Sequence, residues 1–455
     1  MTTKWKIYNE DAVEWAKNYQ KGKFHAMFCD TPYNLESITK RFGKNGSAKA
    51  KYGTDGVFQR SSKGFMNSVW DTDVAFRPET WEAFGEVLYP GAFGMAFSAS
   101  RNWHRMAVAI EDAGFILHPT IFLWAYGQGF PKATNISKQI DKQDGLVGEV
   151  IGEKHLWGHN AGTGAGSFSK NKYEGMTGLS RTEPINAPAT EMSARWIGHR
   201  YGLQALKPAV EPIIVFQKPY EGKPLSNIVE TGAGALNIEA ARIPTQESVV
   251  INRFTDGAKP WGNAKGEEYD TVLTMQGRWP SNLLLTEESA ERLDAQTGKL
   301  TSGKMFSTSK RTTDGSPNGI YGKFDVNAPL QETIGDSGGA SRFFYTVQDQ
   351  LDESDPVYYC GKVSPKERGM GLEEKNNHPT LKPLKLCEYL AKLLLPPIEY
   401  APRRIFIPFS GVASEMIGAG QAGWEHVVGV EFDKDNGYVD IAEKRMKYWM
   451  EKNNA

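Results

Sequence analysis

The run Phe24-His25-Ala26-Met27-Phe28-Cys29 carries almost no polar alternation and stops abruptly on Asp30-Thr31-Pro32-Tyr33. Such a run reads as a strand buried on both faces, which places it inside a sheet that helices cover on either side. The flanking segments agree. Lys4 to Asn9 alternates like a short edge strand, and Asp11 to Tyr19 has helical periodicity. Pro78 to Leu88 reads as a helix, Gly91 to Ser98 as a buried strand, and Trp103 to Ala113 as an amphipathic helix closed by Gly114. Near the other end, Leu384 to Leu395 reads as a helix, Arg404 to Pro408 as a strand, Ser414 to Ala422 as a helix and Glu425 to Val430 as a strand. This alternation predicts an α/β fold with a mostly parallel, Rossmann-like sheet.

At 455 residues the chain exceeds one ordinary core, so insertions on a main domain are expected. Phe115 to Tyr126 and Val210 to Gln217 both read as strands, and if they pair, 127–208 is an insertion between them. That segment includes Gly162-Thr163-Gly164-Ala165-Gly166 and predicts turns with little regular structure. A second polar, irregular region covers 220–340. The resulting division is 1–126, the insertion 127–208, a return strand in 209–219, the elaboration 220–340, and 341–455, where strand and helix alternation resumes.

A charged fraction of 24% with 40% hydrophobic residues is the profile of a soluble globular protein. No apolar run reaches the roughly 18 residues of a membrane span, and Met1 to Asp11 lacks an apolar signal core, which predicts a cytosolic chain. Cys29, Cys360 and Cys387 are unclustered, arguing against a disulfide framework, and no His, Cys or Asp spacing predicts a metal site. A net charge of -1 leaves nucleic-acid contact to local patches. One such patch lies between Glu36 and Met66, where Lys40, Arg41, Lys44, Lys49, Lys51, Arg60 and Lys63 face only Glu36 and Asp55. No Gly-x-x-x-x-Gly-Lys-Ser/Thr loop is present, which argues against an ATPase motor.

Two further segments bear on chemistry. Ile405-Phe406-Ile407-Pro408-Phe409-Ser410-Gly411 is a strand running into a glycine turn, and Val428-Gly429-Val430-Glu431 places an acid at the next strand end. In a doubly wound sheet that pair of features receives a nucleotide-like ligand, although a plain structural turn has the same pattern. Just upstream stands Asn377-His378-Pro379-Thr380-Leu381-Lys382-Pro383. This stretch is similar to the His-Pro-Thr-x-Lys-Pro signature of the β-class DNA amino-methyltransferases, which precedes a helix, an Asp-Pro-Phe-x-Gly-x-Gly turn and an acid in the same order. Asp30-Thr31-Pro32-Tyr33 resembles that family's Asp-Pro-Pro-Tyr, with Thr31 for the first proline. The resemblance runs from near residue 8 to near residue 449, thinly over the two elaborations.

The resemblance implies a fold of the AdoMet-dependent methyltransferase type and S-adenosyl-L-methionine as cofactor. Asp11, Asp30, His378, Thr380, Lys382, Pro408, Phe409, Ser410, Gly411, Glu431 and Phe432 occupy the matching positions. It implies transfer to an exocyclic amine of a base flipped out of double-stranded DNA. The Asp30 carboxylate and the Thr31 carbonyl would accept the amine N–H groups, Pro32 would hold Thr31 extended, and Tyr33 would stack on the base. Adenine N6 is the first expectation, cytosine N4 the second, and a catalytically inactive DNA-binding relative the third. DNA contact is expected from Lys40, Arg41, Lys44, Lys51, Arg101, His104, Lys132, Arg278 and Trp279. The elaborations between 127 and 339 are expected to read sequence. A homodimer and a restriction endonuclease partner both stay open. Three departures fall in the cofactor turn: Ile407 replaces the family's Asp, Ala413 its second glycine and Glu415 a small hydroxyl residue. A missing glycine is expected to block a positive φ or close ligand approach.

Overall fold

The computed structural model describes residues 3–33, 73–126, 131–156, 181–253, 271–301, 337–347, 363, 365–373, 376, 378, 381–433 and 437–453. Of these, the residues up to 126 and from 210 onward form one compact unit, and those from 131 to 209 a second.

In the first unit the strands are Lys4–Asn9 (β1), Phe24–Asp30 (β2), Leu88–Phe97 (β3), Phe122–Ala125 (β4), Val210–Gln217 (β5), Leu283–Thr286 (β6), Tyr345–Val347 (β7), Arg404–Pro408 (β8) and His426–Glu431 (β9). The helices that frame them include Ala12–Asn18 (α1), Pro78–Glu86 (α2), Trp103–Asp112 (α3), Leu384–Leu393 (α4), Ser414–Ala422 (α5) and Tyr438–Asn453 (α6). The strands pair in the order β1-β9-β8-β2-β3-β5-β4-β6-β7. All run one way except β5, which is antiparallel to both β3 and β4. This is the mostly parallel sheet that the alternation of strands and helices predicts.

Strand β2 sits near the middle because it can. Ala26 and Phe28 enter the core on one face, and Met27 and Cys29 the core on the other. Each fully buried side chain such as Phe28 contributes about 1.5–3 kcal/mol. Trp15 of α1 stacks on Phe406 of β8 at 5.2 Å, which fixes the first helix over the central strands. From β8 the chain crosses through α5 to β9 on one side, whereas α1 carries it from β1 across to β2 on the other. The crossings diverge above the carboxyl ends of β8 and β2, where open α/β sheets bind their ligands.

The structure corrects three expectations. Phe115–Tyr126 is not one strand: Ile116–Leu117 and Phe122–Ala125 are separated at His118-Pro119-Thr120, where proline lacks the ladder donor. In the second unit, 131–209 holds regular structure, with Lys132–Asn135 paired to Arg200–Gln204 and Val150–Leu156 paired to Arg181–Asn186. Its helix Ile136–Asp144 is capped by Asn135 and ends at Gly145 with φ 71°. The region 220–340 is also regular in part. It forms the Ile243–Arg253/Thr271–Arg278 hairpin and supplies β6 to the main sheet. Among the described residues no helix is long and apolar enough to cross a membrane.

Helices α4 and α5 meet so closely that a Cβ added to Gly418 would lie 2.4 Å from the Cys387 Cβ and 2.7 Å from the Glu388 nitrogen. Helix propensity favours alanine there by about 1 kcal/mol, but backbone overlap costs about 1–3 kcal/mol or more. Gly418→Ala is therefore expected to lower stability by about 1–2 kcal/mol net, read as a lower urea midpoint. An unchanged midpoint would show that the helices can separate freely.

Candidate functional site

Strand β2 runs beside β3 until Asp30 faces Phe97, and the chain then leaves the ladder. Two side-chain bonds hold the loop beyond it. Thr31 Oγ1 donates to the Phe97 carbonyl at 3.1 Å, and Asn102 Nδ2 donates to the Tyr33 carbonyl at 2.8 Å. The hydroxyl that replaces the family's proline thus fastens the loop to β3, supplying by a bond the rigidity that a ring would supply by sterics.

Into this corner comes Lys382, from the segment ahead of α4. Its ammonium is 3% exposed and donates to Asp30 Oδ2 at 2.5 Å and to Tyr33 Oη at 3.1 Å. Glu211 Oε2 lies 3.9 Å from the same nitrogen and 3.5 Å from Tyr33 Oη. The ammonium also rests 4.7 Å from the Phe97 ring centre and 5.3 Å from that of Tyr33. Burial, followed by the charge of Asp30, pushes the Tyr33 phenol well above its usual range, so it is a neutral hydroxyl. Burial likewise raises the Tyr126 phenol, opposed by the charge of Lys382. The strand end therefore presents an acidic, aromatic corner that already holds one protonated nitrogen.

The turn after β8 is the second half of the site. Phe409 and Ala413 have left-handed backbones, φ 57° and 69°, flanking Gly411 at φ 50°. The expectation that Ala413 would block a positive φ is corrected: the turn takes the glycine conformation with an alanine in place. Its neighbours hold it there. Ala413 donates from its backbone to the Ser410 carbonyl at 2.8 Å, and the fully buried Arg445 of α6 donates through Nη1 to the Val412 carbonyl. Gly411 donates to Glu431 Oε2 at 2.7 Å. Burial pushes the Glu431 carboxyl up to about 7. A Cβ on Gly411 would meet His378 Nε2 at 3.2 Å, so the histidine of the signature packs directly on the turn.

Four buried side-chain oxygens around this corner have no hydrogen-bond partner among the described residues: Asp30 Oδ1, Ser410 Oγ, Ser414 Oγ and Glu415 Oε1. Such groups are costly unless a ligand or water meets them. Three sit on or just after the turn and the fourth on the strand beside it, so the residues present fit a polar ligand with several donors.

Asp11 lies past the end of β1 and caps α1, its Oδ1 accepting from the nitrogens of Val13 and Glu14. Phe432, 47% exposed, follows Glu431 at the end of β9. Both are on the edge of the sheet where β2 and β8 end. Arg101 and His104 are exposed there too, beside the Asn102 that binds the Tyr33 carbonyl. Arg278 and Trp279 are not. They precede β6, at the edge where the parallel strands begin, with Arg242 5.7 Å from the Trp279 ring. That places the expected pair at the end of the sheet opposite Asp30. Thr380, Lys40, Arg41, Lys44 and Lys51 lie outside the described residues, as does the side chain of Lys132. Glu211 and Arg445 also belong to the site, and no sequence motif marks Arg445. For Glu211 a signal exists, an acid inside the apolar strand Val210–Gln217. Among the described residues no His, Cys, Asp and Glu cluster could hold a metal.

No family model matches the chain. The Type II methyltransferase M.HindIII of Haemophilus influenzae is 23% identical over 248 residues, covering 51% of this chain and 64% of the relative. The chain thus spans just under two thirds of the length of that curated relative. Of solved structures, the M1.HpyAVI-SAM complex is 12% identical with a TM-score of 0.36, covering 97% of this chain and 100% of that one. The cytosine-N4-specific PvuII DNA methyltransferase is 11% identical with a TM-score of 0.37, covering 98% and 87%.

An L-residue held in the left-handed region costs about 1–2 kcal/mol, so Ala413→Gly is expected to stabilise the protein by about 1 kcal/mol, read as a higher urea midpoint. A lower midpoint would mean that the alanine methyl contributes more by packing than its backbone loses. Glu431 gives a pH prediction. Its folded carboxyl titrates near 7 rather than 4.5, so its contribution is complete below pH 4.5 and is lost as pH rises through 7. The stability of Glu431→Gln relative to the parent should therefore increase between pH 4.5 and 7.5. A constant difference across that range would show that Glu431 stays ionised in the fold.

Proposed function

On the premise that the chain is related to the β-class DNA amino-methyltransferases, we propose that it transfers a methyl group from S-adenosyl-L-methionine to the exocyclic N6 amine of adenine in double-stranded DNA. The observation that carries this is the grip of Asp30 and Tyr33 on a nitrogen. The strand end holds the Lys382 ammonium with a carboxylate, a phenol and an aromatic face, and an exocyclic amine requires the same partners. Its lone pair is delocalised into the base and becomes nucleophilic only when acceptors bind its hydrogens and favour a tetrahedral nitrogen. Asp30 supplies one acceptor and the Thr31 carbonyl the other.

For a flipped base to take that place, Lys382 must release Asp30. Glu211, 3.9 Å from the ammonium, is the anion ready to receive it. Tyr33 then offers its ring to the base face. S-adenosyl-L-methionine, when bound, supplies an electrophilic methyl group. Glu431 suits its ribose hydroxyls, and the buried oxygens of the turn suit its polar end. Asp30 need not be a strong base, because the proton is acidic once the nitrogen is methylated. Alignment of donor and acceptor accounts for most of the acceleration.

Arg101 and His104, on the same edge, are suited to the DNA backbone, and the basic segment from Lys40 to Lys63 adds phosphate contacts. Sequence reading is assigned to 131–209 and 220–340. The aspartate at the first motif position favours adenine over cytosine N4, by the family's association of Asp with adenine. Nucleoside mass spectrometry of DNA incubated with protein and cofactor should show N6-methyladenine, and finding only N4-methylcytosine would sink the adenine assignment. Asp30→Asn preserves shape and removes the anion. It should lower transfer by at least about hundredfold at saturating cofactor. Retained transfer would remove Asp30 from the chemistry.

A further inference from the structure

Glu415 is the departure from the family pattern with the most unusual surroundings. It stands in the first turn of α5, directly after the cofactor turn, where the family has a small hydroxyl. Its side chain is 3% exposed, and Oε1 is buried without a hydrogen-bond partner. Taking a carboxylate out of water is expensive unless a partner compensates. A cation is nearby in the fold, but Arg445 directs Nη1 to the Val412 carbonyl and leaves Nε and Nη2 without partners, so it is not hydrogen-bonded to Glu415. Lys382 is engaged by Asp30 and Tyr33. Lys382 and Arg445 offset part of the carboxylate's charge but neither bonds to Oε1. The orphan oxygens of Asp30, Ser410 and Ser414 add acceptor capacity to the same corner, and among them only the two serine hydroxyls are also donors.

We propose that Glu415 is a binding residue for the cationic amino-acid end of the methyl donor, its carboxylate accepting from the ligand's α-ammonium group. This rests on the reading of the protein as an S-adenosyl-L-methionine-dependent enzyme and deepens it. An ammonium offers three N–H donors and a positive charge, which can meet the oxygens that Lys382 and Arg445 leave without partners. The small hydroxyl of the family could accept one bond but would supply no charge, so this chain gains an electrostatic selection for the charged form of its ligand. Loss of the second glycine, which stiffens the turn, is then accompanied by a stronger contact one step further on.

The charge state of Glu415 gives a second readout. Burial first, and then the charge of Asp30, push its carboxyl up to about 7, opposed by Lys382 and Arg445. The titratable groups that face it from the packed elements are Asp30, Cys29, Tyr33, Lys382, Cys387 and Arg445. Burial moves the two thiols and the phenol up, so they stay neutral through this range. Binding of the cation favours the ionised carboxylate, so affinity should rise with pH up to and through 7.

Calorimetric titration of the full chain with S-adenosyl-L-methionine and with 5′-methylthioadenosine, which lacks the amino-acid end, tests this without any turnover. Glu415→Gln and Glu415→Thr are each expected to weaken S-adenosyl-L-methionine by roughly tenfold or more, the loss of one charge-assisted bond. The same variants should change 5′-methylthioadenosine by less than about twofold. The parent's affinity for S-adenosyl-L-methionine should rise from pH 6 to about 7.5, below the range in which the ligand's own α-ammonium deprotonates, and that rise should flatten in Glu415→Gln. Equal losses for both ligands, or no loss for either, would overturn the assignment. A parent that binds neither ligand would instead overturn the functional reading on which it rests. Because both variants remove a buried, unpaired charge, unfolding midpoints at or above the parent's are expected at pH 8. A large fall would assign Glu415 a structural role and likewise overturn the proposal.

Discussion

The pairing of Lys382 with Asp30 joins residues 352 positions apart and brings the two halves of the site together. Neither half is useful alone. The strand end at Asp30 holds acceptors and an aromatic face, and the segment ahead of α4 leads into the helix that packs beside the cofactor turn. A buried ion pair of this kind contributes little net stability, since desolvation offsets most of the attraction, but removing one partner leaves a buried charge and is costly. The pair acts as a latch on geometry. It fixes where Asp30 points, places Tyr33 over the ammonium, and leaves Glu211 at a distance that permits exchange.

The turn after β8 shows how a protein holds a left-handed shape without the residue that makes the shape easy. Ala413 occupies a backbone region that glycine enters freely. The Ser410 carbonyl, the Arg445 guanidinium and Glu431 over-determine the loop around it, and the strain is borne where a ligand would approach. At Gly411 a Cβ would also crowd His378, 3.2 Å from its Nε2, so a replacement there asks the histidine to shift as well.

How much of the fold is legible in the chain depends on how burial imprints sequence. β2, β8 and α5 are buried on nearly all sides, so their apolar runs are continuous and the bounds read from them lie close to the observed ones. The hairpins of 131–209 are exposed on much of their surface, so little constrains their composition and the segment reads as irregular. β6 is only four residues, Leu-Leu-Leu-Thr, embedded in polar sequence, and its place in the main sheet depends on a partner strand, β4, far away in the chain. The site divides in the same way. Asp30, Tyr33, Lys382 and Glu431 stand in ordered motifs and are legible. Arg445 acts through tertiary contacts that no local pattern encodes, and Glu211 shows only as an acid inside an apolar strand. The opposite placement of Arg278 and Trp279 comes from strand direction, which a motif does not carry.

The order of strands in space has a consequence for how the molecule is made. β8, which sits between β9 and β2, lies far downstream of both β1 and β2 in the chain, so it leaves the ribosome well after them. At about 5–20 residues per second, the early strands wait roughly tens of seconds for the strand that joins them. During that interval β2 has β3 on one side and an open edge of unpaired backbone groups on the other, the kind of edge that pairs with whatever strand is near. The same linear order that lets residues 30 and 382 meet at one corner therefore makes the central sheet the last thing completed. Yield on expression should depend on what shields that edge in the meantime more than on the strength of any contact in the finished fold.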